Sequence, residues 1–124
     1  LELEQLIMPN LASPTFVEGK NAKMAVTTSA TALVANSTGS EKTIRVVSLY
    51  IANVDGVNAA SVTVDIYDGT AARCLVKTVA VPADSTLTVI GRDDSIYLEE
   101  GDSLRLTASA ANDLEAIASY EEIL

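Results

Sequence analysis

The stretch Ala60-Ser61-Val62-Thr63-Val64-Asp65-Ile66-Tyr67-Asp68 decides the fold. Val62, Val64 and Ile66 fall on one parity, and Ser61, Thr63, Asp65 and Tyr67 on the other. A period of two is the mark of a strand with one face in a core and one toward water. Asp68-Gly69 then supplies a hairpin turn, because glycine accepts the positive φ such turns demand. The returning segment, Arg73 to Val81, places Leu75, Val79 and Val81 on one face.

Working outward, similar segments recur at intervals of roughly 8–15 residues, the spacing of a sandwich or barrel. Ser29 to Ala35 reads as a strand closed by Asn36-Ser37-Thr38-Gly39-Ser40. Thr43 to Val54 is the longest. Ile44 and Val46 hold one parity, then Val47, Leu49 and Ile51 take the other, a phase change that predicts a β-bulge or a switch of face. Thr86 to Ile90, Ser95 to Leu98, Leu104 to Ala108 and Leu114 to Tyr120 complete about eight strands. No amphipathic helix follows residue 24. The economical solution is an all-β chain, a single antiparallel β-sandwich of jelly-roll or Ig-like layout.

The first 23 residues differ. Pro9 and Pro14 interrupt regular structure, and Leu3, Leu6, Ile7, Leu11, Phe16 and Val17 are apolar residues in an otherwise irregular stretch. The chain therefore divides into an irregular N-terminal arm, residues 1–23, and a β-sandwich domain, residues 24–124. Such an arm lies along its own domain or reaches a neighbour. Met24 opens Met24-Ala25-Val26-Thr27-Thr28-Ser29, which would serve as a translation start, so the arm reads equally as a processed or upstream-extended segment.

Composition narrows the function. The chain has 124 residues, no histidine, one cysteine and a formal charge of −9. Without histidine the commonest general base is missing. The net negative charge disfavours nucleic acid and anionic membranes, which are bound through cationic side chains. Aromatic residues make up 4% of the chain and tryptophan is absent, a poor supply for stacking on sugars or bases. Cys74 lies in an apolar strand and reads as a buried small hydrophobe.

Gly101-Asp102-Ser103-Leu104 matches the nucleophile block of a lipase and esterase family, but Ser103 has no histidine to activate it, and the block reads as a turn entering a strand. Asp93-Asp94 and the Glu99, Glu100, Asp102 group flank one short strand and offer oxygens to a hard cation; the spacing fits no EF-hand, and turn formation explains them equally. Asn36-Ser37-Thr38 fits a glycosylation acceptor but reads better as a turn. No catalytic residue, metal ligand or cofactor is assigned.

Several segments carry a family resemblance: Val46-Val-Ser-Leu-Tyr-Ile-Ala-Asn-Val54, Ser61-Val-Thr-Val-Asp-Ile66, Val79-Ala-Val-Pro-Ala-Asp-Ser-Thr-Leu-Thr-Val-Ile90 and Ile96-Tyr-Leu-Glu-Glu-Gly-Asp-Ser-Leu-Arg-Leu-Thr-Ala-Ser-Ala110. With their "ANV" strand end, "VPA" turn and "GDSL" turn, they resemble small structural proteins of tailed bacteriophages over roughly residues 26 to 122. The resemblance implies a non-enzymatic virion protein assembled in the host cytoplasm. A capsid decoration or cement protein comes first, bound to the major capsid protein or another virion protein, as a homo-oligomer with a trimer favoured. The arm residues Leu3, Leu6, Ile7, Leu11, Phe16 and Val17 would anchor it. A tail, neck or fibre accessory is the alternative, and a carbohydrate-binding surface module the second alternative.

Overall fold

The computed structural model describes residues 12–124. Nine strands are present and no helix among the described residues: β1 (Val17–Ala25), β2 (Thr31–Ala35), β3 (Thr43–Asn53), β4 (Ala60–Tyr67), β5 (Ala72–Val81), β6 (Thr86–Ile90), β7 (Ile96–Leu98), β8 (Ser103–Ala108) and β9 (Leu114–Ile123). One sheet runs β1-β9-β3-β6 with β7 also on β3, and the other runs β2-β8-β4-β5.

β6 and β7 are one strand cut in two. Antiparallel to β3, β6 takes its C-terminal half (Leu49↔Ile90 to Ala52↔Thr86) and β7 its N-terminal half (Ile44↔Leu98 to Val46↔Ile96). Counted so, two four-stranded sheets face each other, and every connection except the β4–β5 hairpin and the β6–β7 break crosses between them. That order is a jelly-roll and excludes the Ig-like layout, whose sheets divide the strands differently.

The sequence pattern is realised where burial decides it. Val62, Val64, Leu104, Leu106, Ile51 and Leu49 are fully buried between the sheets. The phase change in β3 is a bulge: Val46 pairs with Tyr120 and Ser48 with Ser119, leaving Val47 as the extra residue. Ile44 and Val46 therefore face the core before it, and Leu49 and Ile51 after it.

Three expectations are corrected. Residues 17–23, expected as irregular, belong to β1, which pairs in unbroken register with β9 from Val17↔Ile123 to Ala25↔Glu115. The division at residue 24 thus falls inside a strand. Leu75 does not share a face with Val79 and Val81: β5 carries extra residues opposite Val62–Val64 and Val64–Asp65, and these bulges turn Leu75 outward while Val76 packs on the core. Cys74, in the same bulged edge segment, is exposed rather than buried.

Two buried asparagines hold the ends of β3. Asn36 Nδ2 donates to Lys42 O (2.8 Å) and Leu98 O (3.0 Å), and its Oδ1 accepts from Ser40 Oγ. Asn53 Nδ2 donates to Asn58 O and Val81 O, both at 2.9 Å, and its Oδ1 accepts from Asp55 N. Each ties a loop carbonyl to a buried strand carbonyl, Leu98 O or Val81 O, that would otherwise lack this donor. Asn36 is 2% exposed, so its amide is a structural pin and not a glycan acceptor.

Candidate functional site

The sequence singled out the apolar residues of the N-terminal segment. Leu3, Leu6, Ile7 and Leu11 lie outside the described residues. Phe16 and Val17 are within them and lead into β1. Phe16 N donates to Leu124 O (3.1 Å) and Leu124 N returns a bond to Phe16 O (2.8 Å), so the chain enters β1 already paired to the C-terminus. Both side chains are half-exposed, at 49%.

The pairing fixes which way β1 presents its backbone. In an antiparallel ladder, alternate residues direct both N–H and C=O toward the same neighbour. Phe16 bonds to Leu124, and Val26 N donates to Leu114 O (2.8 Å) at the far end. The register between them is unbroken, so Glu18, Lys20, Ala22 and Met24 bond to β9. Val17, Gly19, Asn21, Lys23 and Ala25 direct their N–H and C=O groups away from the sheet, and no described residue takes them up. The result is an open edge of nine residues, Val-Glu-Gly-Lys-Asn-Ala-Lys-Met-Ala.

Ion pairs secure this edge from behind. Lys20 Nζ lies 2.9 Å from Glu122 Oε1, and Lys42 Nζ lies 3.1 Å from the same oxygen. The hydrogen bond from Lys20, followed by that from Lys42, holds the Glu122 carboxyl below the ordinary glutamate value. The same bond raises the Lys20 ammonium. Arg45 and Glu121 form a neighbouring pair at 3.3 Å.

The other candidates resolve into structure. In Gly101-Asp102-Ser103-Leu104, Gly101 sits at φ +92°, its N–H donates to Asn36 O, and Asp102 Oδ2 accepts from Glu99 N. Ser103 opens β8 opposite Ala35 and Tyr67. Glu100 accepts from Gly39 N, and among the described residues no three acidic or thiol groups converge as a metal site. Asp55 is held below the ordinary aspartate value by the backbone N–H groups of Val57 and Asn58, and Asp68 by those of Ala71 and Thr70. Both carboxylates tie loops.

Sequence reading missed the Asp65–Arg105–Tyr67 cluster on the outer face of the second sheet. Arg105 Nε and Nη2 donate to the two Asp65 oxygens at 2.9 and 3.2 Å, and the guanidinium stacks 4.1 Å from the Tyr67 ring centre. It staples β4 to β8; the register that joins positions 40 apart is not written locally.

No protein-family model matches the chain, and no curated protein matches it in sequence. Solved structures do resemble it in fold. A structure of Bacillus endospore appendages, described as disulfide-linked pili, aligns with a TM-score of 0.52 at 15% identity, over 87% of this chain and 86% of that one. The acid-stable capsid of Helicobacter pylori bacteriophage KHP30 aligns with a TM-score of 0.51 at 11% identity, over 90% of each chain. At these identities the likeness is one of fold: this chain has the architecture of subunits found in a phage capsid and in a pilus.

Proposed function

We propose that this chain is a non-enzymatic structural protein of a tailed-phage virion, and within it a decoration or cement protein on the shell. The observation that carries the reading is the jelly-roll frame, alike over nine-tenths of both chains to a phage capsid structure. The histidine-free sequence supports it, since no serine or cysteine has an imidazole to activate it. In this reading the sandwich rests on the major capsid protein or another virion protein. Leu3, Leu6, Ile7, Leu11, Phe16 and Val17 add apolar anchorage, and several copies act together.

Co-sedimentation with purified, undecorated shells tests this, using the full chain and a chain beginning at Ala12. The cut at residue 12 removes four of the six anchors and leaves β1 whole. Full-chain binding at stoichiometric occupancy, weakened at least about tenfold by the truncation, is the expected result, since loss of even one or two buried apolar side chains is worth that much. Undiminished binding of the truncated chain sinks the arm; no binding of either sinks the shell assignment.

The second reading keeps the domain but places it in a tail, neck or fibre. The pilus likeness favours it, because a pilus is an open, head-to-tail array of copies. Filaments formed by the purified chain, with no binding to shells, would decide for it.

A further inference from the structure

The sandwich has four sheet edges, and three are closed to another strand. β5 is bulged twice and holds Thr78 at φ +52°. β2 has five residues and a register shift between Ala32 and Val34. The β6–β7 edge is broken by the turn at 91–95. Only β1 is long, unbroken and unbulged, and among the described residues nothing takes up its outward N–H and C=O groups. Such an edge accepts a strand.

We infer that the occupant is a second copy of the same strand: β1 pairs antiparallel with β1 of another molecule about a twofold axis through Asn21, joining the two first sheets into one. The register follows from the ladder. A twofold axis normal to the sheet requires outward-directed residues to meet outward-directed residues. The register that sets Asn21 opposite Asn21 of the partner subunit also sets Val17 opposite Ala25 of the partner subunit and Gly19 opposite Lys23 of the partner subunit. It uses all five outward residues on both sides; shifting by two in either direction strands some of them.

Charge permits the contact. The molecule carries −9, but β1 holds two lysines and one glutamate, so the edges that meet are locally slightly basic on an acidic body. In this register no like charges stand directly opposite, an arrangement that would be destabilising. Lys20, the charge nearest the axis on the inner side, is already paired with Glu122 at 2.9 Å and lies 3.8 Å from Glu18. Gly19 has nothing within 4 Å of a would-be Cβ, which leaves room for Lys23 of the partner subunit. Half-exposed Val17 gains an apolar neighbour in Ala25 of the partner subunit. An isologous contact of this kind closes at two copies, so a dimer replaces the trimer expected from the family resemblance. The inference does not depend on the shell assignment.

Sedimentation equilibrium of the full chain, with Asn21→Pro and Asn21→Asp, tests it. The Asn21 N–H points away from β9, so proline there removes an intermolecular donor and no bond within the sheet. Aspartate places two carboxylates face to face on the axis. The expected result is a dimer of the 13.0 kDa chain, with each variant associating at least about tenfold more weakly at unchanged far-ultraviolet dichroism. In a Cys74→Ser background, a short bismaleimide should cross-link Asn21→Cys to its twin but not Ala25→Cys, whose twin lies about 26 Å away at ~3.3 Å per residue. A full chain that stays monomeric overturns the inference. So does an oligomer unaffected by Asn21→Asp, or cross-linking of Ala25→Cys as fast as Asn21→Cys. If proline disturbs the fold, the aspartate variant and the cross-link still decide.

Discussion

β1 and β5 are the two long edges of the molecule, nine and ten residues respectively, and they solve the same problem in opposite ways. An edge strand offers unpaired hydrogen-bonding groups to any passing chain. β5 carries the more apolar sequence, Ala-Arg-Cys-Leu-Val-Lys-Thr-Val-Ala-Val, with Leu75 37% exposed. It is guarded by geometry: two bulges, and a left-handed Thr78 whose N–H is turned onto Thr63 Oγ1 at 3.0 Å. β1 is polar, and its geometry is left regular. The sticky sequence is bent out of use and the soluble one is kept straight. An edge that is straight but not greasy can pair reversibly and in one register.

The largest expected effect comes from removing β1. A chain beginning at Met24 loses seven of the nine β1 residues and uncovers β9, including the partners of Lys20. We expect it to lose several kcal/mol of stability, a melting temperature lower by roughly 10 °C or more, or to aggregate through the bared β9 edge. A chain beginning at Ala12 keeps the whole ladder and should melt close to the parent. Equal melting of all three by calorimetry would mean that β1 contributes little.

β5 should yield next, at its pin. Asn53 Nδ2 bonds Val81 O where β5 ends, and the amide is buried. Asn53→Ala removes three hydrogen bonds and leaves two carbonyls short of a donor, a loss of about 2–4 kcal/mol by urea unfolding. Hydrogen exchange should show the loss concentrated at 53–59 and at the end of β5. If protection falls equally in β1, the two edges are not independent.

A smaller effect tests how β1 is attached. Glu122 is depressed by its bonds to Lys20 and Lys42, so it binds protons more weakly folded than unfolded. Its contribution is present above its ordinary value of 4.5 and fades as pH falls through the folded value. The two lysine side chains are 38% and 37% exposed, so the gain is under about 1 kcal/mol. Glu122→Gln should lower stability at pH 7 and match the parent near pH 3. A gap that persists at pH 3 would assign the loss to packing instead.

The sequence spoke clearly wherever a strand had one wet and one dry face. Val62, Val64, Leu114, Ala116 and Ala118 were legible by period, and the β3 bulge by its change of phase at Val47. β1 was not, because a polar edge strand buries too little to impose alternation; only Ala22 and Met24 reach the core. The β5 bulges hid for a related reason. Their extra residues face solvent, and exposed Leu75 mimics the apolar parity of Val79 and Val81. At the β1 edge, Phe16 and Val17 stand out in the sequence as apolar residues in a polar stretch, while the outward backbone groups of Gly19, Asn21 and Lys23 are not announced by side-chain chemistry.

Cys74 gives the smallest test, of how open the β5 edge is to solvent. Cys74 lies on the outer face of its sheet, opposite Asp65, and is exposed. A thiol reagent such as Ellman's should therefore titrate one group per chain without denaturant. Cys74→Ser should change stability by no more than about 0.5 kcal/mol, the usual range for surface substitutions. A thiol that reacts only on unfolding would mean that the β5 edge is covered, and the contrast between the two edges would fall with it.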